Sequence, residues 1–524
     1  MIVVMDQMKP GYAKKFDMKN VLWLQNKGVN FPNAYVGDMA SETVVSHNVM
    51  VSGLFPKHMG WSDEAIRDVD NVLGYGENAI VTTGDLGTVA FVTLIENMDY
   101  PKLGDYLRAK YPARIVANVG QKGYQVESMA ASSSDLWVRM GGAKATSTLP
   151  DPSVVPWTGK YRGPSGTSPL PTYIADDPRF LISAGNPTDS YDTTTTAPAW
   201  MYPEDGRYVP GTYPGHKSGD NWVADVATKI MDNENWSGLW VTFSAIDKVG
   251  HMWGGGAIDT EATYGWDPTS IFKEIHMPWV AKNADVQLGK LIKKLKDLHQ
   301  FNDTLIIVTA DHGSTYGKDG GFKGVNALDA GSAVNWSAGT WYPGSVTPVS
   351  SPGSPAIKPL MDTGNIAFSI QSTSIQTWLV DRTGAKKREA AAVMQALPGV
   401  IATYIKNGDR YKLYSSSTMT AAEEAWWMAH GQELVNTMCF SGSGDIVGLL
   451  ADKTGYGVFG DHGGAQKDVQ RIPMAWYMPG IKHAVNKAGF RLVDIMPTIL
   501  KTMGIKAKAT DPMDGSAYSL KLPE

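Results

Sequence analysis

The feature that most constrains this chain is a repeated alternation of short apolar runs with amphipathic segments. The apolar runs that predict buried strands are 2–5, 113–119, 239–243, 304–309 and 474–477. Between two of them, apolar residues recur at helical spacing from Ala284 to Leu298, with Lys and Asp on the opposite face. Buried strands that alternate with such helices predict an α/β fold, in which a mostly parallel central sheet is flanked by helices.

Length and composition indicate a large core with insertions. The chain has 524 residues, 43% of them hydrophobic and 19% charged, which is enough to form one big domain with additions. We expect residues 1–320 and 441–524 to form the main domain. A Pro-, Gly-, Ser- and Thr-rich insertion at 144–218 should be mostly loop, and residues 321–440 should form a small inserted α/β cap.

Several classes of partner are disfavoured by composition. A net charge of −5 gives no broad attraction for nucleic acid or an anionic membrane. The single cysteine, Cys439, excludes an intrachain disulfide framework and zinc sites built from several thiolates.

No apolar run reaches the length of about 18 residues that a transmembrane helix requires. We expect a secreted or periplasmic protein whose leader is absent from this chain, while the oligomeric state stays open.

Acidic and histidine residues follow the predicted strands. Asp6 follows run 2–5, Asp247 and His251 follow run 239–243, and Asp311-His312 follow run 304–309. A further histidine, His462, lies in a Gly-rich turn. Because the carboxyl ends of parallel strands meet along one edge of the sheet, we expect the side chains at those ends to converge there.

Three carboxylates and three imidazoles suit two divalent metal ions. These ligand types favour Zn²⁺, with Mn²⁺ and Fe²⁺ as alternatives. Two such ions about 3.5 to 4 Å apart can clamp the attacking and leaving oxygens of an in-line displacement. A hydroxyl near such ions becomes a usable nucleophile, and Thr43 is the candidate. The residues therefore predict hydrolysis at phosphorus.

The order of these motifs resembles the alkaline phosphatase superfamily, and within it the type I phosphodiesterase/nucleotide pyrophosphatase branch. The resemblance is carried by Asp6 after a strand, Thr43 followed by His47-Asn48 and by Ser-Gly-Leu-Phe-Pro at 52–56, and the motifs Asp-x-x-Gly-His, Asp-His-Gly and Gly-Asp-His-Gly. It covers residues 1–135, 220–320 and 445–520 and weakens across both insertions.

The resemblance implies a ligand set and a mechanism. Asp247, His251 and His462 would hold one zinc ion. The other would be held by Asp6, Asp311, His312 and the Thr43 hydroxyl. The implied reaction is attack by the Thr43 alkoxide, a phosphothreonine intermediate and hydrolysis of that intermediate.

Two departures from the family bear on the substrate, which we expect to be a small-molecule phosphate ester. Glu64 stands where relatives often carry an Asn that donates to phosphate, so either another donor serves or the loop differs. Lys122 matches the Lys of a Lys-x-Arg pair that contacts monoesters, but Tyr124 replaces the Arg. Because one cation of two is retained, we expect a slight preference for monoesters over diesters.

Other functions remain as alternatives. The same ligands would serve a nucleotide pyrophosphatase/phosphodiesterase or a phosphonate hydrolase. A sulfatase would need a Cys or Ser in a Cys/Ser-x-Pro-x-Arg context, which the residues after Thr43 do not form, and a cofactor-independent phosphoglycerate mutase would use a Ser nucleophile. The non-enzyme alternative is a surface or scaffold protein that keeps the fold, with its Ser/Thr/Gly/Pro segments as an interaction surface.

Overall fold

A computed structural model of the protein describes residues 1–83, 86, 88–140, 157–163, 166–168, 170–177, 219–253, 276–315, 323–324, 357–456 and 460–520. In chain order, its strands are β1 (Ile2–Met5), β2 (Val29–Asn30), β3 (Ala65–Asp68), β4 (Ala79–Thr82), β5 (Ile115–Gly120), β6 (Leu136–Met140), β7 (Trp157–Gly163), β8 (Gly166–Ser168), β9 (Trp236–Phe243), β10 (Ile306–Thr309), β11 (Lys323–Gly324), β12 (Ile366–Gln371), β13 (Ser374–Leu379), β14 (Val400–Asn407), β15 (Arg410–Ser416), β16 (Ile446–Leu450), β17 (Thr454–Gly455), β18 (Met474–Tyr477) and β19 (Ala484–Val485).

The helices are α1 (Tyr12–Lys15), α2 (Lys19–Lys27), α3 (Thr43–Ser52), α4 (Pro56–Met59), α5 (Thr88–Glu96), α6 (Leu103–Lys110), α7 (Gly123–Ala130), α8 (Thr172–Ala175), α9 (Gly219–Asn233), α10 (Ala245–Trp253), α11 (His276–Asp297), α12 (Lys358–Met361), α13 (Gly384–Gln395), α14 (Ala421–Thr437), α15 (Lys467–Gln470) and α16 (Ile495–Thr502). Two short 3₁₀ helices cover Phe301–Asp303 and Leu492–Asp494. No helix among the described residues is both long enough and apolar enough to cross a membrane.

The main sheet has ten strands in the order β19-β2-β18-β10-β1-β9-β5-β6-β7-β8. Its five central strands, from β10 to β6, run parallel, with Ile2 of β1 paired to Ile307 on one side and to Trp240 on the other. β1 and β10 are entirely buried, as their uninterrupted apolar sequences predict. The predicted strand at 474–477 is present as β18, but it runs antiparallel to β10.

Helices flank this sheet. α9 packs on β9 and β5, α7 packs on β5 and β6, and α2 packs on β18. The helix predicted from the periodicity at 284–298 is α11, which begins earlier, at His276. The α/β fold class with a mostly parallel central sheet is therefore confirmed.

A second sheet of five antiparallel strands, in the order β12-β13-β16-β14-β15, has its own apolar core. α13 packs on β14 and β16 of this sheet. Four of its strands come from the predicted cap at 321–440, and β16 joins them from beyond that range. The described part of the predicted insertion at 144–218 contains β7, β8 and α8, and its remaining residues lie outside the described ranges.

Candidate metal centre

The predicted ligands converge because parallel strands end at one edge of the main sheet. Asp6 directly follows β1, and Asp311 comes two residues after β10 ends. α10 begins two residues after β9 ends and presents Asp247 and His251 one helical turn apart. His462 reaches the same place from the turn that precedes α15.

The side chains form two overlapping groups with the geometry of metal ligands. Asp247, His312 and His462 offer ligand atoms within 4.8 Å of one another, and so do Asp6, Asp311 and His312. His251 joins the first group, since its Nε2 lies 3.1 Å from Asp247 Oδ1 and 3.2 Å from His462 Nε2. All six predicted ligands are thus buried in one place, with His312 shared between the groups.

The donor set fits divalent cations. Within the described residues, Asp6 Oδ1 and Asp311 Oδ2 are buried and accept no hydrogen bond. Burial raises the pKa of Asp6, and the neighbouring Asp247 and Asp311 carboxylates raise it further. Like-charged carboxylates at this depth require positive charge beside them, which divalent cations would supply in addition to the Lys122 ammonium.

Two of the histidines are oriented through the ring nitrogen that faces away from the ligand group, His312 by a hydrogen bond and His462 by a contact with a carboxylate. His312 Nδ1 donates to the backbone carbonyl of Gly313 over 2.9 Å, which leaves Nε2 with its lone pair. Burial lowers the pKa of His312 to about 3, so the ring is neutral, as a metal ligand must be. His462 Nδ1 lies 2.7 Å from Glu42 Oε2, a carboxylate–histidine contact that fixes the ring of a ligand.

Thr43 is the first residue of α3, and its side chain is 2% exposed. Its hydroxyl lies 3.1 Å from His312 Nε2, to which it can donate, and 3.4 Å from Lys122 Nζ. A helix N-terminus favours negative charge. The predicted nucleophile therefore lies beside both ligand groups in surroundings that stabilise an alkoxide.

Lys122 lies between the two ligand groups. It follows β5 and places Nζ 2.7 Å from Asp6 Oδ2 and 2.5 Å from Asp247 Oδ2. Burial lowers the pKa of its ammonium, but Asp247 and Asp6 outweigh burial and raise the pKa well above its usual value. The two carboxylates therefore favour the charged form of the Lys122 ammonium next to the Thr43 hydroxyl.

Sequence reasoning missed three side chains that hold the ligands. Gln7 donates from its amide to Asp247 Oδ1, Gln125 donates to Asp6 Oδ2 over 2.5 Å, and Glu42 contacts His462. The only signal of these residues in the sequence is that each stands within three positions of a predicted site residue: Gln7 follows Asp6, Glu42 precedes Thr43, and Gln125 comes three residues after Lys122.

His47, one helical turn after Thr43 in α3, contacts both the backbone of Thr43 and a predicted ligand. His47 Nδ1 donates to the Thr43 carbonyl over 2.7 Å, and its Nε2 lies 3.0 Å from Thr242 Oγ1. Nδ1 also lies 3.5 Å from Asp311 Oδ2. His47 thus connects the nucleophile helix to β9 and to a ligand carboxylate.

The two departures from the family pattern also lie near the centre. Burial raises the pKa of Glu42 and of Asp461, and the Glu64 carboxylate raises both further. Burial lowers the pKa of Lys122, Asp247 and Asp6 raise it, and the Tyr124 side chain raises it further. Both side chains therefore act electrostatically on residues at or beside the predicted ligands.

Comparisons with known proteins agree with one another. A family model described as type I phosphodiesterase / nucleotide pyrophosphatase matches residues 1–464. Alkaline phosphatase PhoK from Sphingomonas sp. is 22% identical over 533 aligned residues, which cover 95% of this chain and 86% of PhoK.

Solved structures share the fold. Wild-type alkaline phosphatase PafA superposes with a TM-score of 0.60 at 14% identity, over 96% of this chain and 95% of PafA. Murine ectonucleotide pyrophosphatase / phosphodiesterase 5 superposes with a TM-score of 0.51 at 14% identity, over 98% of this chain and 96% of the murine protein.

Proposed function

This chain belongs to the type I phosphodiesterase / nucleotide pyrophosphatase family, and from this premise we propose that it is a metal-dependent phosphoric ester hydrolase with Thr43 as its nucleophile. The observation that carries the proposal is the position of the Thr43 hydroxyl. It lies 3.1 Å from His312, the residue that both ligand groups share. A scaffold protein has no use for a buried hydroxyl at the junction of two such groups.

The proposed cofactors are two divalent cations, with zinc favoured by the imidazole and carboxylate ligands. In the proposal Asp247, His251 and His462 hold one ion, and Asp6, Asp311, His312 and the Thr43 hydroxyl hold the other. When bound, such ions supply Lewis acidity that polarises phosphoryl oxygens and lowers the pKa of a coordinated hydroxyl.

The remaining steps belong to the chain's own residues. The Thr43 oxygen forms a bond to phosphorus while the bond from phosphorus to the ester oxygen breaks, and the alcohol leaves after taking a proton. Water then attacks the phosphothreonine and breaks the bond between phosphorus and the Thr43 oxygen, which regenerates the Thr43 hydroxyl and releases phosphate. The N-terminus of α3 and the Lys122 ammonium stabilise the negative charge that develops during both steps.

We propose a small-molecule phosphate ester as the substrate, with monoesters slightly favoured over diesters. A monoester dianion carries one more negative charge than a diester, and Lys122 supplies one buried cation for it. The second candidate is diester or pyrophosphate cleavage, favoured by Tyr124 in place of a second cation. A structure of an inactive murine ectonucleotide pyrophosphatase / phosphodiesterase 5 in complex with AMP shows that this fold accepts a nucleotide in that protein. A secreted or periplasmic location remains part of the proposal and depends on composition alone.

The test is kcat/KM for a nitrophenyl phosphate monoester and the matching diester, with zinc supplied. Thr43→Ala should lower both values by several orders of magnitude. Thr403→Ala removes a buried hydroxyl from β14 of the second sheet and serves as the matched control, which should keep wild-type activity. Undiminished turnover by Thr43→Ala would contradict the nucleophile assignment, and turnover of neither ester by the wild type would contradict the proposed substrate class.

A further inference from the structure

We infer that Gln7 is a positioning residue that fixes the carboxylates of the two ligand groups relative to each other, an inference that rests on the proposed metal centre. Gln7 is fully buried and follows Asp6 at the end of β1. It is the point at which four segments of the chain meet: the end of β1, the start of α10, the turn after β10 and the turn at residue 460.

Gln7 reaches both ligand groups through different parts of the same residue. Its backbone N–H donates to Asp311 Oδ1 over 3.1 Å. Its side-chain Nε2 donates to Asp247 Oδ1 over 3.0 Å and to the Gly460 carbonyl over 2.7 Å. Asp311 belongs to one ligand group and Asp247 to the other, so one residue sets the orientation of a carboxylate in each.

The backbone conformation at Gln7 is strained. Its φ angle is +69°, in the left-handed region that Gly and Asn adopt more easily than Gln. Glycine at this position would remove the backbone strain, and asparagine would relieve most of it. Glycine has no amide and asparagine is one methylene shorter, so neither offers the reach to Asp247 that Gln7 has.

The glycines around Gln7 show how tightly its amide is held. A Cβ added to Gly250 would lie 1.9 Å from Gln7 Oε1, and a Cβ added to Gly460 would lie 2.3 Å from the Gly250 carbonyl oxygen. α10 and the turn that carries His462 therefore approach closely only because both positions are glycine. Gln7 fills the remaining space and joins them to β1.

This arrangement predicts an effect on metal affinity. A ligand carboxylate that is held by an N–H donor loses less freedom when a cation binds, and removal of such supporting partners typically costs about 10- to 100-fold in affinity. Substitution of the side chain removes the donor to Asp247 and keeps the backbone N–H bond to Asp311, so the ion held by Asp247, His251 and His462 should weaken more than the other.

The test uses two substitutions of Gln7 and one control. Gln7→Met keeps the length of the side chain without its donor, and Gln7→Asn suits the left-handed backbone but shortens the reach. Gln466→Met is the matched control, because Gln466 is also buried and donates over 2.6 Å to a backbone carbonyl, that of Thr454. For each protein, zinc affinity is measured by competition with a chromogenic chelator and thermal unfolding is measured without metal.

We expect both Gln7 variants to bind one of the two zinc ions, the one held by the group of Asp247, about 10- to 100-fold more weakly than the wild type. Excess zinc should restore kcat with KM for a nitrophenyl phosphate unchanged. Metal-free Gln7→Asn should lose less stability than Gln7→Met, because its left-handed backbone is less strained, while both variants lose zinc affinity, so that zinc affinity and stability do not change in parallel. Gln466→Met should lose stability and keep its zinc affinity.

Two negative results would have different meanings. Wild-type zinc affinity in both Gln7 variants would overturn this inference and leave Gln7 with a purely structural role. Absence of zinc binding by the wild-type protein would overturn the proposed metal centre itself. Should Gln7→Met fail to fold, Gln7→Asn alone decides the question, because its backbone is compatible with the native turn.

Discussion

Lys122 shows how one residue can carry two roles in this protein. Its ammonium contacts Asp6 and Asp247 and also lies 3.4 Å from the Thr43 hydroxyl. In the proposed mechanism, the first contacts neutralise ligand carboxylates, and the last allows a charge-assisted contact with an oxygen of the phosphoryl group whose phosphorus Thr43 attacks. Substitution of Lys122 separates these roles because only the second depends on the charge of the substrate.

We predict that Lys122→Met lowers kcat/KM for a phosphate monoester about 10-fold or more beyond its effect on the matching diester, since the monoester presents the extra charge. The measurement is the ratio of the two kcat/KM values at saturating zinc. Lys102→Met is the control, because Lys102 is a buried lysine whose ammonium donates to the Ser128 carbonyl over 2.6 Å. An equal loss for both esters would restrict Lys122 to the support of Asp6 and Asp247.

At the residue scale, the sequence pointed to the residues that we propose as ligands and nucleophile, but not to the residues that contact them. Asp6, Asp311 and His462 belong to short motifs that recur in a family, so pattern alone identifies them. Gln7 contacts the Gly460 carbonyl across 453 positions of sequence, and no local pattern records such a contact. Residues that support the ligands can be identified only once the fold shows which distant segments lie next to one another.

At the scale of elements, α10 is fixed at its first turn by a carboxylate from another helix. Asp220 of α9 accepts hydrogen bonds from the backbone N–H groups of Ser244 and Ala245, over 2.8 and 3.2 Å, and from Gln121 Nε2 over 2.7 Å. The first N–H groups of a helix have no partners within it, so a buried start requires such an acceptor. Asp220 thereby sets the position of the helix that presents Asp247 and His251.

We predict that Asp220→Ala lowers the free energy of unfolding by about 2 to 3 kcal/mol, because it leaves buried donors without their charged acceptor. Asp220→Asn keeps an acceptor oxygen and should cost less. Chemical denaturation of the three proteins provides the measurement, and kcat/KM at saturating zinc shows whether α10 also shifts. Equal stability losses for Ala and Asn would contradict the capping role.

The elements differ in how well their patterns predicted them. β1 and β10 were predictable because a parallel strand buried on both faces is an unbroken apolar run. α3 gives no such signal, since every residue from Thr43 to Ser52 is buried and the helix has no polar face. The direction of β18 was equally hidden, because its apolar pattern is the same for a parallel or an antiparallel neighbour.

At the scale of the whole molecule, the predicted superfamily and fold class are confirmed, while the division into 1–320 with 441–524 and 321–440 stays a prediction. β16 illustrates why such boundaries are hard to predict. It lies between β13 and β14 in the second sheet, although in sequence it follows α14, beyond the predicted end of the cap. A strand inserted into a sheet from a distant part of the chain leaves no mark in local composition.

The molecule also buries ionisable groups away from the metal ligands, which makes its stability depend on pH. Asp38 is fully buried, and burial raises its pKa to about 7 although backbone N–H groups, among them that of Ser41, lower it. Its Oδ2 accepts no hydrogen bond from the described residues. The folded protein therefore holds a proton on Asp38 more tightly than the unfolded chain does, whose carboxyl has the ordinary pKa of 3.8.

A raised pKa in the folded state means that the stabilisation from the bound proton is complete below the unfolded pKa and is lost as the pH rises through about 7. Each pH unit between the two values costs about 1.4 kcal/mol, so the Asp38 contribution should fall by up to ~4 kcal/mol between pH 4 and pH 8. Asp38→Asn removes this titration and keeps an acceptor for the Ser41 N–H. We therefore predict that the variant becomes steadily more stable relative to the wild type as the pH rises from 4 to 8, measured by chemical denaturation at constant zinc and ionic strength. A difference in unfolding free energy that stays constant across this range would show that Asp38 titrates in the folded protein as it does in the unfolded chain.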